Sequence, residues 1–143
     1  MKGMMMNRPL KIADILDYAA DTFPKGEIVS VRTEGDVHRY TYADAAKRVA
    51  QLAHGLTAAG VKPGDRVATL AWNGYRHFEL YYAVSGMGAM CHTINPRLSA
   101  EQMTYIVNHA EDTVLWVGLT LVPIVEALRD HFPKEFRVAI MTD

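Results

Sequence analysis

The residue best placed to do chemistry is Arg97, in the segment INPRLSAEQ at 94–102 of this 143-residue chain. It stands in a short connection between a strand-like stretch and a helix-like stretch. Pro96 restricts its own φ and disfavours helical geometry at Asn95, so this turn is stiff. A guanidinium is always charged and planar, which suits phosphate or carboxylate groups. Two interpretations stay open: Arg97 meets an anionic ligand, or it is solvated and pairs with Glu101 or another nearby acid.

Other segments that resemble ligand-binding motifs are less convincing. SGMGAM at 85–90 contains Gly86 and Gly88, but a dinucleotide fingerprint needs a third glycine where Cys91 stands. This segment also ends a helix-like stretch, whereas the fingerprint follows a strand. There is no Gly-Lys-Ser/Thr sequence for a nucleoside-triphosphate loop. We therefore predict packing glycines here and no catalytic residue in the chain.

Metal-ligand spacing is missing from the sequence. The six histidines, at 38, 54, 77, 92, 109 and 131, form no His-x-x-x-His pair, and the single cysteine allows no Cys-x-x-Cys pair. We predict no metal site. Cys91 and His92 could suggest a nucleophile pair, but neighbours in a strand point to opposite faces. Cys91 is interpreted as a small buried hydrophobe.

Composition favours one soluble globular domain. Half of the residues are hydrophobic, and the formal net charge is −1 without a cluster of Lys and Arg, which argues against nucleic-acid binding. The single Cys91 allows no internal disulfide and fits a reducing compartment. The start, MKGMMMNRPLKIADILDY, is too short and too polar for a signal peptide or a transmembrane segment. We expect a cytoplasmic protein.

The first part of the chain reads as a helix, a β-hairpin and a second helix. Residues 11–22 place Ile12, Ile15, Leu16 and Ala19 at helical spacing. Two β-rich stretches at 27–33 and 37–41 flank a short turn that contains glycine, which predicts the hairpin. Thr41 can cap the next helix with Asp44 in its first turn, and that helix ends at Gly60.

The rest of the chain alternates strands and helices. This alternation predicts βαβ units, hence an α/β fold with a mostly parallel sheet and flanking helices. Ser99 and Gln102 have the spacing of a capping box. Ligands of open parallel sheets gather at the carboxyl ends of the strands, where the connection 95–98 lies. The predicted strands are 66–72 (buried on both faces), 89–94, 113–118 and 136–141, and the predicted helices are 75–87, 99–110 and 120–131.

Three ordered blocks carry a family resemblance: GVKPGDRVA at 60–68, LAWNGYRHFELYYAVSGMGAMCHTINPRLS at 70–99, and YIVNHAEDTVL at 105–115. Together they resemble the N-terminal part of the adenylate-forming acyl-CoA synthetases, and most nearly the medium- and long-chain fatty-acid–CoA ligases. The resemblance covers nearly the whole chain, from Ile12 to Asp143. It implies that residues 11–143 form the N-terminal subdomain of this ligase fold, after a poorly ordered start at 1–10.

The resemblance also implies a two-step reaction. A fatty acid and ATP, with Mg²⁺, form an acyl-adenylate and pyrophosphate, and the thiol of coenzyme A then displaces AMP. In relatives that share the Asn-Pro-Arg turn, the arginine contacts phosphate groups of coenzyme A, and this role falls on Arg97. A guanidinium beside a helix N-terminus is a plausible anion site.

Several motifs of the family are missing. The phosphate loop ending in Pro-Lys-Gly, the adenine and ribose motifs and the catalytic lysine should all lie beyond Asp143. FPKGE at 23–27 contains Pro-Lys-Gly without the preceding Gly/Ser/Thr run, so it is interpreted as a turn. We expect a truncated part of a ligase that is inactive alone. The alternative is a self-contained, flavodoxin-like binding or assembly module.

Truncating a larger α/β protein would leave apolar surface and a free sheet edge. The last strand-like stretch, FRVAIM at 136–141, is the candidate for that edge. We therefore expect a homodimer or a domain-swapped assembly.

Overall fold

A computed structural model describes residues 3–4 and 6–142. Thirteen short elements alternate along the chain, and two of them are 3₁₀ turns that flank the last helix, at Leu119–Leu121 and Arg129–His131. The helices and strands are α1 Ala13–Thr22, β1 Glu27–Val31, β2 Val37–Thr41, α2 Tyr42–Ala58, β3 Arg66–Leu70, α3 Tyr75–Gly86, β4 Met90–Thr93, α4 Ala100–Ala110, β5 Val114–Gly118, α5 Val122–Leu128 and β6 Arg137–Met141.

The strands form two separate sheets. β1 and β2 pair antiparallel as the predicted hairpin. The other four strands form a fully parallel sheet in the order β4-β3-β5-β6, with Ala68 of β3 opposite both His92 and Leu115. The predicted α/β class with parallel βαβ units is confirmed. The chain passes from β3 to β4 on one side and then to β5 on the other, so the direction of the strand order reverses between β3 and β5.

Helices cover both faces of the parallel sheet. α3 connects β3 to β4, and α4 connects β4 to β5 in the opposite direction along the sheet. Because such crossovers are right-handed, the two helices must lie on opposite faces. On one face α4 and α5 pack against Ala68, Leu115 and Val117. On the other, α2 and α3 pack against Val67 and Val114. β3 is almost completely buried because it has helices on both faces and a strand on each side, as its apolar sequence predicted.

The hairpin and α1 lie outside this layer, joined to it by a small cluster around Leu16, Tyr40 and Tyr75. Of the four apolar residues at helical spacing, Leu16 is buried and Ala19 is half-buried. Ile12 lies just before the helix and is 58% exposed, and Ile15 is 61% exposed. α1 packs against α2 and α3 from outside the two-sided core, so its contact surface is narrow.

Local capping signals are confirmed. Thr41 Oγ1 accepts from the Asp44 N–H at 3.1 Å, and Asp44 accepts in return from the Thr41 N–H. Ser99 and Gln102 form the same reciprocal pair at 3.2 and 3.0 Å. Gly60 ends α2 with φ at +88°, a conformation that favours glycine.

The predicted helix at 120–131 is helical but not continuous. Its regular α-helical part begins only at Val122, one residue before Pro123, since proline suits a first helical turn. Of the predicted unordered start, residues 1, 2 and 5 lie outside the described residues, and the described ones form no helix or strand. No helix in the described ranges combines the length and the apolarity needed to cross a membrane.

Candidate functional site

Arg97 lies in a stiff loop at the carboxyl end of β4, as the sequence predicted. The N–H of Ile94 donates to the Thr69 carbonyl at 2.8 Å, which anchors the start of this loop to β3. Asn95 Oδ1 accepts from the N–H of Arg97 at 3.0 Å, and the Asn95 carbonyl accepts from the N–H of Leu98 at 3.2 Å. One asparagine side chain and its own carbonyl therefore set the backbone around Arg97.

The side chain of Arg97 is exposed. Within the described part of the chain, its guanidinium makes no ion pair and no side-chain hydrogen bond. The pairing with Glu101 that the sequence left open is not formed. The guanidinium keeps its donors for a ligand or for water.

A second candidate lies where the strand order reverses. In open parallel sheets, the loops after two strands separate at this point and leave a crevice that favours ligands. Here a small cavity of about 50 Å³ lies between the loops after β3 and β5. Trp72 Nε1 donates to Thr120 Oγ1 at 3.2 Å across the crevice. The lining residues include Trp72, Asn73, Gly74, His77, Gly118 and Leu119.

The loops after β3 and β5 approach each other at Gly118 and Ala71. A Cβ placed on Gly118 would lie 3.6 Å from the Cα of Ala71, so the two loops run close together at its base. Asn73 and Gly74 line this crevice, which the sequence analysis did not identify. The alternating strands and helices of the sequence predict a parallel sheet. They do not specify the order of its strands, and that order creates the crevice.

His77 lies beneath the crevice and is buried together with Thr69. Its Nε2 lies 2.9 Å from Thr69 Oγ1, which joins α3 to β3. Its Nδ1 is buried without a hydrogen-bond partner of normal geometry among the described residues. Burial lowers the pKa of His77, against a smaller opposite effect of the Trp72 backbone. The ring is therefore neutral at neutral pH.

The outer wall of the crevice carries two paired arginines. Arg76 donates to Glu34 at 2.8 Å and lies over the ring of Tyr75 at 5.0 Å. Its hydrogen bond holds the pKa of Glu34 below the usual range. Arg32 pairs with Asp36 in the hairpin, and lowers the pKa of that carboxyl too. The Arg76–Glu34 pair connects the hairpin to α3, whereas the Arg32–Asp36 pair lies within the hairpin.

Cys91 and His92 behave as separate groups. Cys91 packs against the α2–α3 side of the sheet, and burial raises the pKa of its thiol to about 11. His92 Nδ1 lies 2.8 Å from a carboxylate oxygen of Asp112, whose side chain is fully buried. Burial raises the pKa of Asp112, and the contact with His92 opposes this. This hydrogen bond ties β4 to the turn before β5, and the sequence did not reveal it.

The aromatic residues of α3 divide between core and surface. Tyr75 is buried, while Phe78 and Tyr82 pack against the same small cluster. Tyr81 is exposed instead. Over the described ranges, no three His, Cys, Asp or Glu side chains lie together in a way that could hold a metal ion.

The family of AMP-binding enzymes matches residues 16–143. A long-chain-fatty-acid–CoA ligase of Thermus thermophilus is 52% identical over 139 residues, which are 97% of this chain and 26% of that protein. A 3-methylmercaptopropionyl-CoA ligase of Ruegeria pomeroyi is 48% identical over 141 residues, 99% of this chain and 26% of that protein. The structure of a Mycobacterium tuberculosis fatty acyl CoA synthetase superposes with a TM-score of 0.80 at 28% identity, covering 92% of this chain and 26% of the other.

The chain therefore spans about a quarter of the length of the relatives it matches. The superposition confirms the predicted N-terminal ligase fold, since it covers 92% of this chain.

Proposed function

This chain belongs to the AMP-binding enzyme family, and from that premise we propose that it is the N-terminal part of a fatty-acid–CoA ligase. One observation carries the proposal: at least 97% of the chain aligns with two CoA ligases at 48% and 52% identity. We prefer this function to a self-contained flavodoxin-like module for the same reason.

In the proposed reaction, the carboxylate of a medium- or long-chain fatty acid attacks the α-phosphorus of ATP. This forms the acyl-adenylate and releases pyrophosphate. The thiol of coenzyme A then attacks the acyl carbon, forms the thioester and releases AMP. Mg²⁺ is the metal proposed for the first step, but no carboxylate cluster in the described ranges fits it, so we assign it no residue here.

This part of the enzyme contributes a folded subdomain and one contact with a substrate. We propose that Arg97 contacts phosphate groups of coenzyme A. Its support is geometric: the guanidinium is exposed and unpaired among the described residues, and its loop is stiff. It also precedes the capped N-terminus of α4, whose positive end favours anions.

The test is pyrophosphate exchange into ATP by the gene product that contains this chain. A panel of carboxylic acids should include short, medium and long fatty acids, an aromatic acid and a methylthio acid. We expect exchange that is fastest with a medium- or long-chain fatty acid. Exchange only with the aromatic or methylthio acid would show that the substrate class is wrong, and no exchange at all would contradict the ligase itself.

We also propose that the protein is cytoplasmic and forms a homodimer or a domain-swapped assembly. Its supports are the single Cys91, the free edge of β6 with exposed Val138 and Ile140, and the exposed apolar side of α1. Sedimentation equilibrium tests this assembly. We expect a dimer that Ile140→Lys weakens, and a monomer at high protein concentration would contradict it.

A further inference from the structure

The turn at 95–98 that carries Arg97 is anchored in the core at both ends. Ile94, the residue before it, is buried and donates its N–H to the Thr69 carbonyl of β3 at 2.8 Å. Leu98, the last residue of the turn, packs against the same core cluster as Ile94. Arg97 is exposed between these two anchors. The direction in which its side chain leaves the backbone therefore depends on the conformation of the turn itself.

Asn95 holds this turn with two hydrogen bonds. Its carbonyl accepts from the N–H of Leu98 at 3.2 Å and closes the turn. Its side-chain Oδ1 accepts from the N–H of Arg97 at 3.0 Å. Because Pro96 has a restricted φ and no N–H, the N–H of Arg97 is the first one that follows Asn95 in the chain. The side-chain bond thereby fixes the peptide group between Pro96 and Arg97, which the proline ring leaves free to rotate.

The orientation of that peptide group decides the conformation of Arg97. Type I and type II turns both accept proline at the second position, and they differ by a flip of the central peptide. The type II turn requires a positive φ at the third position, which is Arg97 here. Among the described non-glycine residues, a positive φ occurs only at Glu111, so the turn is not type II. In the flipped turn, the N–H of Arg97 would point away from the Asn95 side chain, and the guanidinium would start from a different direction.

We propose that Asn95 is a positioning residue that presents the Arg97 guanidinium to phosphate groups of coenzyme A. The inference rests on the proposed contact of Arg97, and it adds the residue on which that contact depends. Among the described residues, the exposed side chain of Asn95 makes no other hydrogen bond, so its effect is confined to the backbone of Arg97. Ordering this backbone before coenzyme A binds lowers the entropy cost of the contact.

Single variants of the proposed ligase test the effect on coenzyme A. Asn95→Ala should raise the KM for coenzyme A about threefold to tenfold, the equivalent of one net hydrogen bond, and leave kcat and pyrophosphate exchange within about twofold. Asn95→Ser keeps a side-chain oxygen that forms this turn bond more weakly, so its KM should lie between those of the other two proteins. Asn108→Ala is the matched control. It removes hydrogen bonds to the carbonyls of Thr104 and His131 but should leave the KM for coenzyme A unchanged.

Two further measurements show whether Asn95 acts through Arg97. In the double variant N95A/R97A, the KM for coenzyme A should equal that of Arg97→Ala alone, because no guanidinium remains to be positioned. In the 143-residue chain labelled with ¹⁵N, relaxation measures the order of the turn. The order parameter of the Arg97 amide should fall from about 0.85 in the unmodified chain toward about 0.6 in Asn95→Ala, and Asn108→Ala should not change it.

Three outcomes would overturn the positioning role: an unchanged KM in Asn95→Ala, additive effects in the double variant, or equal losses in KM, kcat and pyrophosphate exchange. The last would show that Asn95 only supports the fold. Failure of the proposed function looks different. The unmodified enzyme would then show no pyrophosphate exchange, or Arg97→Ala would keep the original KM for coenzyme A. Either result would remove the contact that Asn95 is proposed to serve.

Discussion

Arg48 of α2 donates to Glu79 of α3, with 2.6 Å between Nε and Oε1. The two side chains differ in environment, since that of Glu79 is 6% exposed and that of Arg48 is 46% exposed. The guanidinium also lies 5.6 Å from the centre of the Tyr75 ring. The buried carboxylate therefore depends on an arginine that reaches it from the surface.

Replacing Arg48 with Met should destabilise the fold by about 2–3 kcal/mol, because it leaves the Glu79 carboxylate buried without its partner. The double variant R48M/E79L should recover most of that loss, since neither charge remains. Urea denaturation of the three proteins measures both effects. Arg39→Met is the matched control: Arg39 and Glu27 are both more than half exposed, so its cost should be at most about 0.5 kcal/mol. Similar losses for Arg48→Met and Arg39→Met would contradict the prediction.

His77 should make the fold less stable in mild acid. Burial lowers its pKa in the folded chain below the ordinary value of 6.5, so the unfolded chain takes up its proton first as the pH falls. The stabilising contribution is fully present above pH 6.5 and is lost below it, by up to about 1.4 kcal/mol per pH unit. Urea denaturation at pH 7.5 and pH 5.5 measures the loss.

The variant His77→Gln should show a smaller loss between these two pH values, because glutamine can still bond to Thr69 but does not titrate. His54 is exposed on α2, so His54→Gln should keep the full pH dependence. If His77→Gln and the unmodified chain lose stability equally, other groups cause the pH dependence.

Cys91 should react slowly with alkylating agents in the folded protein. Burial raises the pKa of its thiol to about 11, compared with about 8.5 for a free cysteine. At pH 8 the thiolate should then be roughly a hundredfold scarcer than in the unfolded chain, and steric burial slows the reaction further. Mass spectrometry after iodoacetamide treatment, with and without urea, measures the two rates. Fast alkylation without urea would show that the thiol is accessible and activated.

In the proposed ligase, Arg97→Ala should separate the two half-reactions. Losing a charge-assisted contact of about 1.5–3 kcal/mol should raise the KM for coenzyme A by roughly ten- to a hundredfold. Pyrophosphate exchange, which needs no coenzyme A, should stay near the original rate. Arg97→Lys keeps the positive charge but not the planar guanidinium. Its KM for coenzyme A should therefore lie between those of the unmodified enzyme and of Arg97→Ala. Equal losses in both half-reactions would mean that Arg97 supports the structure instead.

Much of the fold could be predicted because its signals are local. The reciprocal pairs Thr41–Asp44 and Ser99–Gln102 are three residues apart, so the sequence shows both partners together. The same is true of the turn at Gly35 in the hairpin and of the stiff Pro96 loop. Alternating strand and helix patterns were enough to predict a parallel sheet, because parallel neighbours are joined by long crossover connections that are usually helices.

The site was only partly predictable. The position of Arg97 at the carboxyl end of a strand follows from the βα connection. Only the side-chain geometry shows that Arg97 does not pair with Glu101. Trp72 and Thr120 meet across 48 residues of chain, and His92 meets Asp112 across 20. Neither pair has a spacing that a local pattern would indicate.

The sequence alone determined which segments become helices and strands, and that the strands of the βαβ units run side by side in parallel. Only the tertiary structure decided the strand order β4-β3-β5-β6, and with it the crevice between β3 and β5. It also decided that Ile12 and Ile15 face solvent. The physical reason is the range of the forces: capping and turn geometry act within a few residues. Strand order and burial instead minimise the exposed apolar surface of the whole chain, which no short segment encodes.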